Sequence, residues 1–300
     1  MTLIEFANLF IPATVILLMV CLGMELAIAD FRRLISYPKA ICVGVTGQML
    51  LMPAIAFAIA ALTPGSLAFK VGLILLAACP GGPLSNSFVY LARGRVDLSV
   101  SLTAINSMLA LFTTPLIASL GIRVFAGDNA AIDLPVLKTM AQIFTLAILP
   151  VAIGMTIKAH FPSWVERNDR SNRRIAGALL MSHIVLVLLL NADNLKTGFQ
   201  EMFLPAMAFA FLAQSVGYLS AKLMGLNRET CFTIGVEVGL QNVVLAILIA
   251  NFLLKRPEFS LFVVVYAASI LLIMLPWVFI HRWLGSRLEK TGESLSEGAK

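Results

Sequence analysis

Residues 71–86 read Val71-Gly72-Leu73-Ile74-Leu75-Leu76-Ala77-Ala78-Cys79-Pro80-Gly81-Gly82-Pro83-Leu84-Ser85-Asn86. The first nine belong to an apolar run of membrane length, but the next four do not fit a continuous helix. Pro80 and Pro83 deprive the carbonyls of Leu76 and Cys79 of their i+4 donors. In hydrocarbon an unsatisfied carbonyl costs several kcal/mol, so such a break is tolerated only where the freed backbone faces protein or a polar cavity. A simple proline kink is the alternative. Four breakers followed by Ser85-Asn86-Ser87 favour a true interruption near mid-membrane.

The surrounding composition is that of a chain dissolved in lipid. Its 300 residues are 59% hydrophobic and 13% charged, with mean hydropathy +0.93, against about 25% charged in soluble domains. Nine segments approach the roughly 20 apolar residues a membrane helix requires: about 7–29, 41–62, 69–92, 97–119, 138–159, 175–192, 202–222, 229–254 and 259–281. The expected fold is an all-α membrane protein with nine transmembrane helices. Residues 1–284 form a single polytopic membrane domain and 285–300 a polar tail, expected to be disordered.

Most of the 22 basic residues fall on one side, including Arg32, Arg33, Arg167, Arg170, Arg173, Arg174 and the tail. The positive-inside rule places that side in the cytoplasm of a cell (inner or plasma) membrane, with the N-terminus outside and the C-terminus inside. Ala27-Ile28-Ala29 resembles a signal-peptide cleavage site. Glu5, the absence of a basic n-region and the immediate Arg32-Arg33 argue for a first span instead. The net charge of +6 forms no basic stripe, so no nucleic-acid partner is expected. Cys21, Cys42, Cys79 and Cys231 form no CxxC and read as small hydrophobes.

The eighth span carries a second anomaly, Gly235-Val236-Glu237-Val238-Gly239-Leu240-Gln241-Asn242. Glu237 is the one acid well inside any span, and an ionisable group there costs about 2.5–3.5 kcal/mol even on a lenient scale. On a regular helix Thr233, Glu237 and Gln241 share a face, while Gly235 and Gly239 allow close backbone approach on another. A protonated glutamate bonded to a neighbouring helix is the alternative to a functional carboxylate. The two anomalies lie five helices apart, and an odd repeat re-enters the membrane from the other side. An inverted repeat is therefore expected, the first copy over about 7–119 and the second over about 138–284, with the broken segments marking a binding site at the midplane.

In the fourth span Ser99, Thr103, Asn106 and Ser107 recur at helical spacing, as oxygen ligands or as ordinary interhelical hydrogen bonds. One carboxylate with hydroxyls, amides and freed carbonyls makes a hard-oxygen site of low charge. A divalent ion recruits more carboxylates, which leaves sodium or a proton on Glu237. The positive ends of half-helices suit an anionic substrate.

These segments resemble the bile acid:sodium symporters. The likeness is carried by Cys79-Pro80-Gly81-Gly82 with Ser85-Asn86, by Tyr90-Leu91-Ala92-Arg93-Gly94, and by Glu237-Val238-Gly239-Leu240-Gln241-Asn242. The chain looks like a bacterial-type member lacking the first helix of ten-helix homologues. The resemblance implies core and panel domains, two discontinuous crossing helices, and two sodium ions driving import of an organic anion. By position, one sodium site uses Ser85, Asn86, Ser99, Thr103 and Glu237. The other uses Gln48, Glu237, Gln241 and the carbonyls of Val238 and Leu240. Gln48 also stands out as a lone amide in the second span. The anion contacts depart from the pattern, with Pro83 after the double glycine and Tyr266-Ala267 in the last span. Asn242, Pro83, Tyr266, His183 and Gln214 are the candidate substrate residues; for His183 a buried structural hydrogen bond is the equal alternative.

The function expected is symport by alternating access, importing a bile-acid-like or smaller carboxylate. A proton-coupled or uncoupled carrier using Glu237 is the nearest rival. An embedded enzyme lacks support, because His160, His183 and His281 are scattered and neither HExxH nor GxSxG occurs. A channel fits less well a carboxylate buried beside two breaks.

Overall fold

The computed structural model describes residues 3–27, 37–82, 84–127 and 136–297. Among the described residues the chain is helical almost throughout and forms no strand. In chain order the helices are α1 (Leu3–Gly23), α2 (Pro38–Leu62), α3 (Leu67–Ala78), α4 (Leu84–Leu91), α5 (Val96–Ala126) and α6 (Val136–His160). They continue with α7 (Pro162–Leu190), α8 (Leu195–Leu223), α9 (Arg228–Gly239), α10 (Val243–Leu253) and α11 (Ser260–Glu297). Seven of the described helices are long and apolar enough to cross a membrane. Two further apolar passages are each built from a pair of short helices, α3 with α4 and α9 with α10. The protein is an all-α, multi-pass membrane protein whose outer helix faces present Leu9, Leu62, Leu137, Leu204 and Phe279 outward.

The proline accounting holds along the chain. Pro12, Pro115, Pro205 and Pro276 each sit alone inside a helix that continues past them, whereas the cluster at 80–83 ends one helix before the next begins. Helix starts follow local chemistry: Ser66 caps α3 through the Phe69 amide, Asn227 caps α9 through Thr230, and prolines open α2 and α7.

Several boundaries differ from the sequence reading. Residues 162–174, expected as a loop, form the first turns of α7, joined to α6 only at Phe161. Hydropathy finds lipid contact rather than helix, so a polar helical extension escapes it. For the same reason α11 runs on through Glu297 instead of ending in a disordered tail. In the eighth passage α9 stops at Gly239, so Gln241 lies in the break and shares no helix face with Thr233 and Glu237. Arg32 and Arg33 lie outside the described residues.

Three sets of helices pack most closely: α1 lies against α6 and α7, α3 against α5, and α8 against α9 and α11. The α8–α9 seam is tight because Gly235 and Gly239 bring the α9 backbone onto Gln214 and Tyr218, where a Cβ at Gly239 would come within 2.1 Å of Gln214 Cγ. This seam fixes the height of Glu237 within the bundle.

Candidate functional site

The two interrupted passages meet at their breaks. Gly82 N donates to Leu240 O at 2.9 Å, and Asn242 N donates to Pro80 O at 2.9 Å. These bonds form an isolated antiparallel bridge between Gly81 and Gln241. Backbone groups freed by one break are thus satisfied by the other, as burial in an apolar medium demands.

The remaining freed groups are met mostly by side chains. At the end of α3, Leu76 O accepts from Cys79 N at 3.1 Å, Ala78 O from Thr114 Oγ1 at 2.6 Å, and Cys79 O from Gln48 Nε2 at 2.9 Å. At the end of α9, Val238 O accepts from Gln241 Nε2 at 2.7 Å. The Tyr266 hydroxyl donates to Gly239 O and accepts from Gln241 N at 3.2 Å. Thr114 and the bracing role of Tyr266 were missed by the sequence reading. The signal was present: Thr114 continues the face of Ser99, Thr103 and Asn106 along α5.

Glu237 projects from α9 into this crossover and is fully buried. Its Oε2 accepts from Ser85 Oγ at 2.6 Å and Ser99 Oγ at 2.9 Å, and its Oε1 accepts from Thr103 Oγ1. Hydrogen bonds to a charged group contribute about 1.5–3 kcal/mol each. Three of them offset the roughly 2.5–3.5 kcal/mol of placing a carboxylate at that depth. Each hydroxyl spends its proton on the carboxylate and keeps its lone pairs for another partner.

Gln48 sits in a π-helical turn, Gly47–Leu51, of α2. This wider turn is of a kind frequent at functional sites. Its Nε2 donates to Gln241 Oε1 at 2.8 Å as well as to Cys79 O. Gln48 Oε1 and Asn86 Oδ1 are buried and without a hydrogen-bond partner. One belongs to each predicted set of oxygen ligands. Asn106, also fully buried, leaves both amide atoms unpartnered, while Ser107 merely bonds back to Thr103 O at 2.7 Å.

Beside the crossover lies a cavity of about 330 Å³, bounded at one end by Gly82, Gln241 and Asn242 and at the other by Glu25 and Arg173. Leu18, Leu180, Met181, Ile184, Val243 and Ile270 supply apolar walls between the two ends. Tyr266 and Asn242 line it, although Asn242 Oδ1 also caps α10 by accepting from Leu245 N at 3.0 Å. His183 and Gln214 do not line it. His183 is buried between Thr14 Oγ1 at 3.1 Å and Leu179 O at 2.7 Å, which is its structural alternative. Gln214 packs against α9, with Nε2 3.7 Å from Met274 Sδ and Oε1 unpartnered. Pro83 lies outside the described residues. At the mouth, burial raises the Glu25 carboxyl above the usual carboxylate range, and nearby Arg173 opposes that rise.

Fold and site together define a multi-pass α-helical membrane protein of the discontinuous-helix kind, with a crossover built on one acid and several neutral oxygens. Residues 12–198 match the Sodium Bile acid symporter family, and the chain belongs to that family, one of transporters rather than enzymes. Relatives include the probable sodium/metabolite cotransporter BASS2, chloroplastic, of Oryza sativa subsp. japonica, 31% identical over 78% of this chain and 54% of the relative. The uncharacterized sodium-dependent transporter YocS of Bacillus subtilis (strain 168) is 28% identical over 75% of this chain and 68% of its own. The ileal sodium/bile acid cotransporter of Homo sapiens is 29% identical over 75% of this chain and 64% of its own. The chain thus spans between about half and two thirds of the length of these relatives.

Proposed function

We propose that this protein is a sodium-coupled symporter that imports an organic anion by alternating access. One observation carries the reading: two buried carbonyl oxygens, Gln48 Oε1 and Asn86 Oδ1, lack partners beside a carboxylate already held by three hydroxyl donors. Neutral oxygens around a single negative charge suit a monovalent hard cation. Asn86 Oδ1 with the lone pairs of Ser85, Ser99 and Thr103 forms one sodium site, and Gln48, Gln241 and the carbonyls of Val238 and Leu240 form the other. Glu237 serves both. A proton on Glu237 fits less well, because it leaves Gln48 Oε1 and Asn86 Oδ1 still without a partner.

The first site draws ligands from both interrupted passages and the second from α2 and the later passage, so filling the two fixes the geometry of the breaks. Sodium binding and anion affinity are then linked through that geometry. The anion occupies the cavity bounded by Asn242 and Tyr266, and the helices divide into a core carrying the breaks and a panel of α1, α6 and α7. With the basic end of the bundle in the cytoplasm of the cell membrane, the mouth at Arg173 faces inward. Two sodium ions entering with one monovalent anion move one positive charge, worth about 2.3 kcal/mol per 100 mV.

The test is a stability screen of the full chain against cholate and short-chain carboxylates, each in sodium and in choline. Ligands that bind the folded state alone raise its apparent stability. Stabilisation by an anion in sodium and not in choline is the expected result; equal stabilisation in both salts contradicts the coupling.

A further inference from the structure

At the basic end of the bundle, away from the crossover, a second cavity of about 490 Å³ opens between the end of α4, the start of α9 and the late turns of α11. Among the described residues three guanidinium groups line it, from Arg93, Arg228 and Arg282, with His281 and one acid, Glu229. Arg228 is anchored through Nη2 to the His281 carbonyl. Arg93 and Arg282 are exposed and have no acidic partner among the described residues. This sets them apart from Arg95, which pairs with Asp97 at 2.9 Å and stacks on Tyr37 at 4.5 Å. Arg93 also takes a left-handed backbone conformation, φ 59°, uncommon for a residue with a Cβ. The turn that ends α4 requires it, with Gly94 N donating to Val89 O at 2.8 Å.

We propose that this cavity binds the phosphate headgroup of an anionic phospholipid. Three cations against one carboxylate leave an excess of positive charge, and guanidinium forks match phosphate oxygens. The flanking surface selects lipid over a soluble phosphate. Phe279 and Trp283, both lining the cavity, are 71% and 46% exposed, the apolar and interfacial pairing found where acyl chains meet headgroups. A seated headgroup also bridges α4, which carries Ser85 and Asn86, and α9, which carries Glu237, and so braces the crossover from outside.

The test uses the full chain in nanodiscs of phosphatidylcholine alone or mixed with phosphatidylglycerol, with lipid retention read by native mass spectrometry and stability by thermal unfolding. Wild type retains phosphatidylglycerol and unfolds at higher temperature in the mixed discs. The double variant Arg93→Gln/Arg282→Gln loses retention roughly thirtyfold, about fivefold per arginine. Should that variant lack a cooperative unfolding transition, Arg282→Gln alone carries the fivefold loss. Arg167→Gln/Arg170→Gln, at exposed positions elsewhere, retains the lipid. Unchanged retention in Arg93→Gln/Arg282→Gln, or an equal loss in Arg167→Gln/Arg170→Gln, overturns the site. Inorganic phosphate reproducing the stabilisation in phosphatidylcholine discs overturns the choice of lipid.

Discussion

Replacing Gly81 with alanine attacks the crossover where it is tightest. The added Cβ lies 2.8 Å from Glu237 Oε1, 3.1 Å from the Glu237 carbonyl oxygen and 3.3 Å from Cδ. The side chain has no freedom to retreat, because three hydroxyls hold the carboxylate, and the carbonyl belongs to α9, wedged against α8. The breaks must therefore separate by several tenths of an ångström. Overpacking of this kind costs about 1–3 kcal/mol. Weakening the two backbone bonds between the breaks adds up to about 1 kcal/mol each. Thermal unfolding of the full chain, titrated with sodium against a choline background, reads both consequences. Gly81→Ala lowers the midpoint in choline and shifts the sodium response to at least about tenfold higher concentration, as 1.4 kcal/mol of lost ligand geometry requires. Gly82→Ala, whose Cβ meets Gln241 O at 3.1 Å, gives a milder version of the same change. An unaltered midpoint with an unaltered sodium response refutes the reasoning.

Asn86→Ala and Gln48→Ala each remove the unpartnered oxygen of one proposed site, so the Hill coefficient for sodium falls from near two toward one in either variant; a coefficient unchanged in both contradicts two sites. Tyr266→Phe strands Gly239 O and Gln241 N in a buried break, costing about 1–3 kcal/mol per group in unfolding measurements, and a neutral effect removes the brace. For Glu25 the sign runs toward acid: burial raises its folded-state pKa, so the folded chain holds a proton the unfolded chain has released, and stability falls as pH rises through that interval. Glu25→Gln flattens the fall, and an identical pH slope in variant and wild type rules the contribution out.

The first break was legible because two prolines forbid a helix at 80–83 by covalent structure alone. The second was only half legible. Gly235 and Gly239 marked it as unusual, yet glycine is compatible with a helix, and the chain leaves α9 because the freed groups at 239–241 find partners in Tyr266 and the opposite break. Those partners are remote in sequence, and so was the bridge they support. Glu237 and the stripe of Ser99 and Thr103 were legible as polar groups in apolar spans, whereas their grouping with Ser85 came from the family resemblance. The π turn that aims Gln48 was hidden, since nothing in Gly47-Gln48-Met49-Leu50-Leu51 departs from an ordinary helix. The helical stretches 162–174 and 286–297 were hidden by their polarity, which signals water and is silent on backbone.

The proposed sodium sites depend on the charge of Glu237, and Glu237→Gln isolates that charge because size and most hydrogen bonds survive. Sodium titration of thermal unfolding, with potassium and choline as controls, is the measurement. Wild type rises with sodium alone, by about 2.7 kcal/mol per site at one hundred times the dissociation constant, and Glu237→Gln stays flat. A glutamine variant that still climbs with sodium, or a wild type that climbs equally with potassium, contradicts the account.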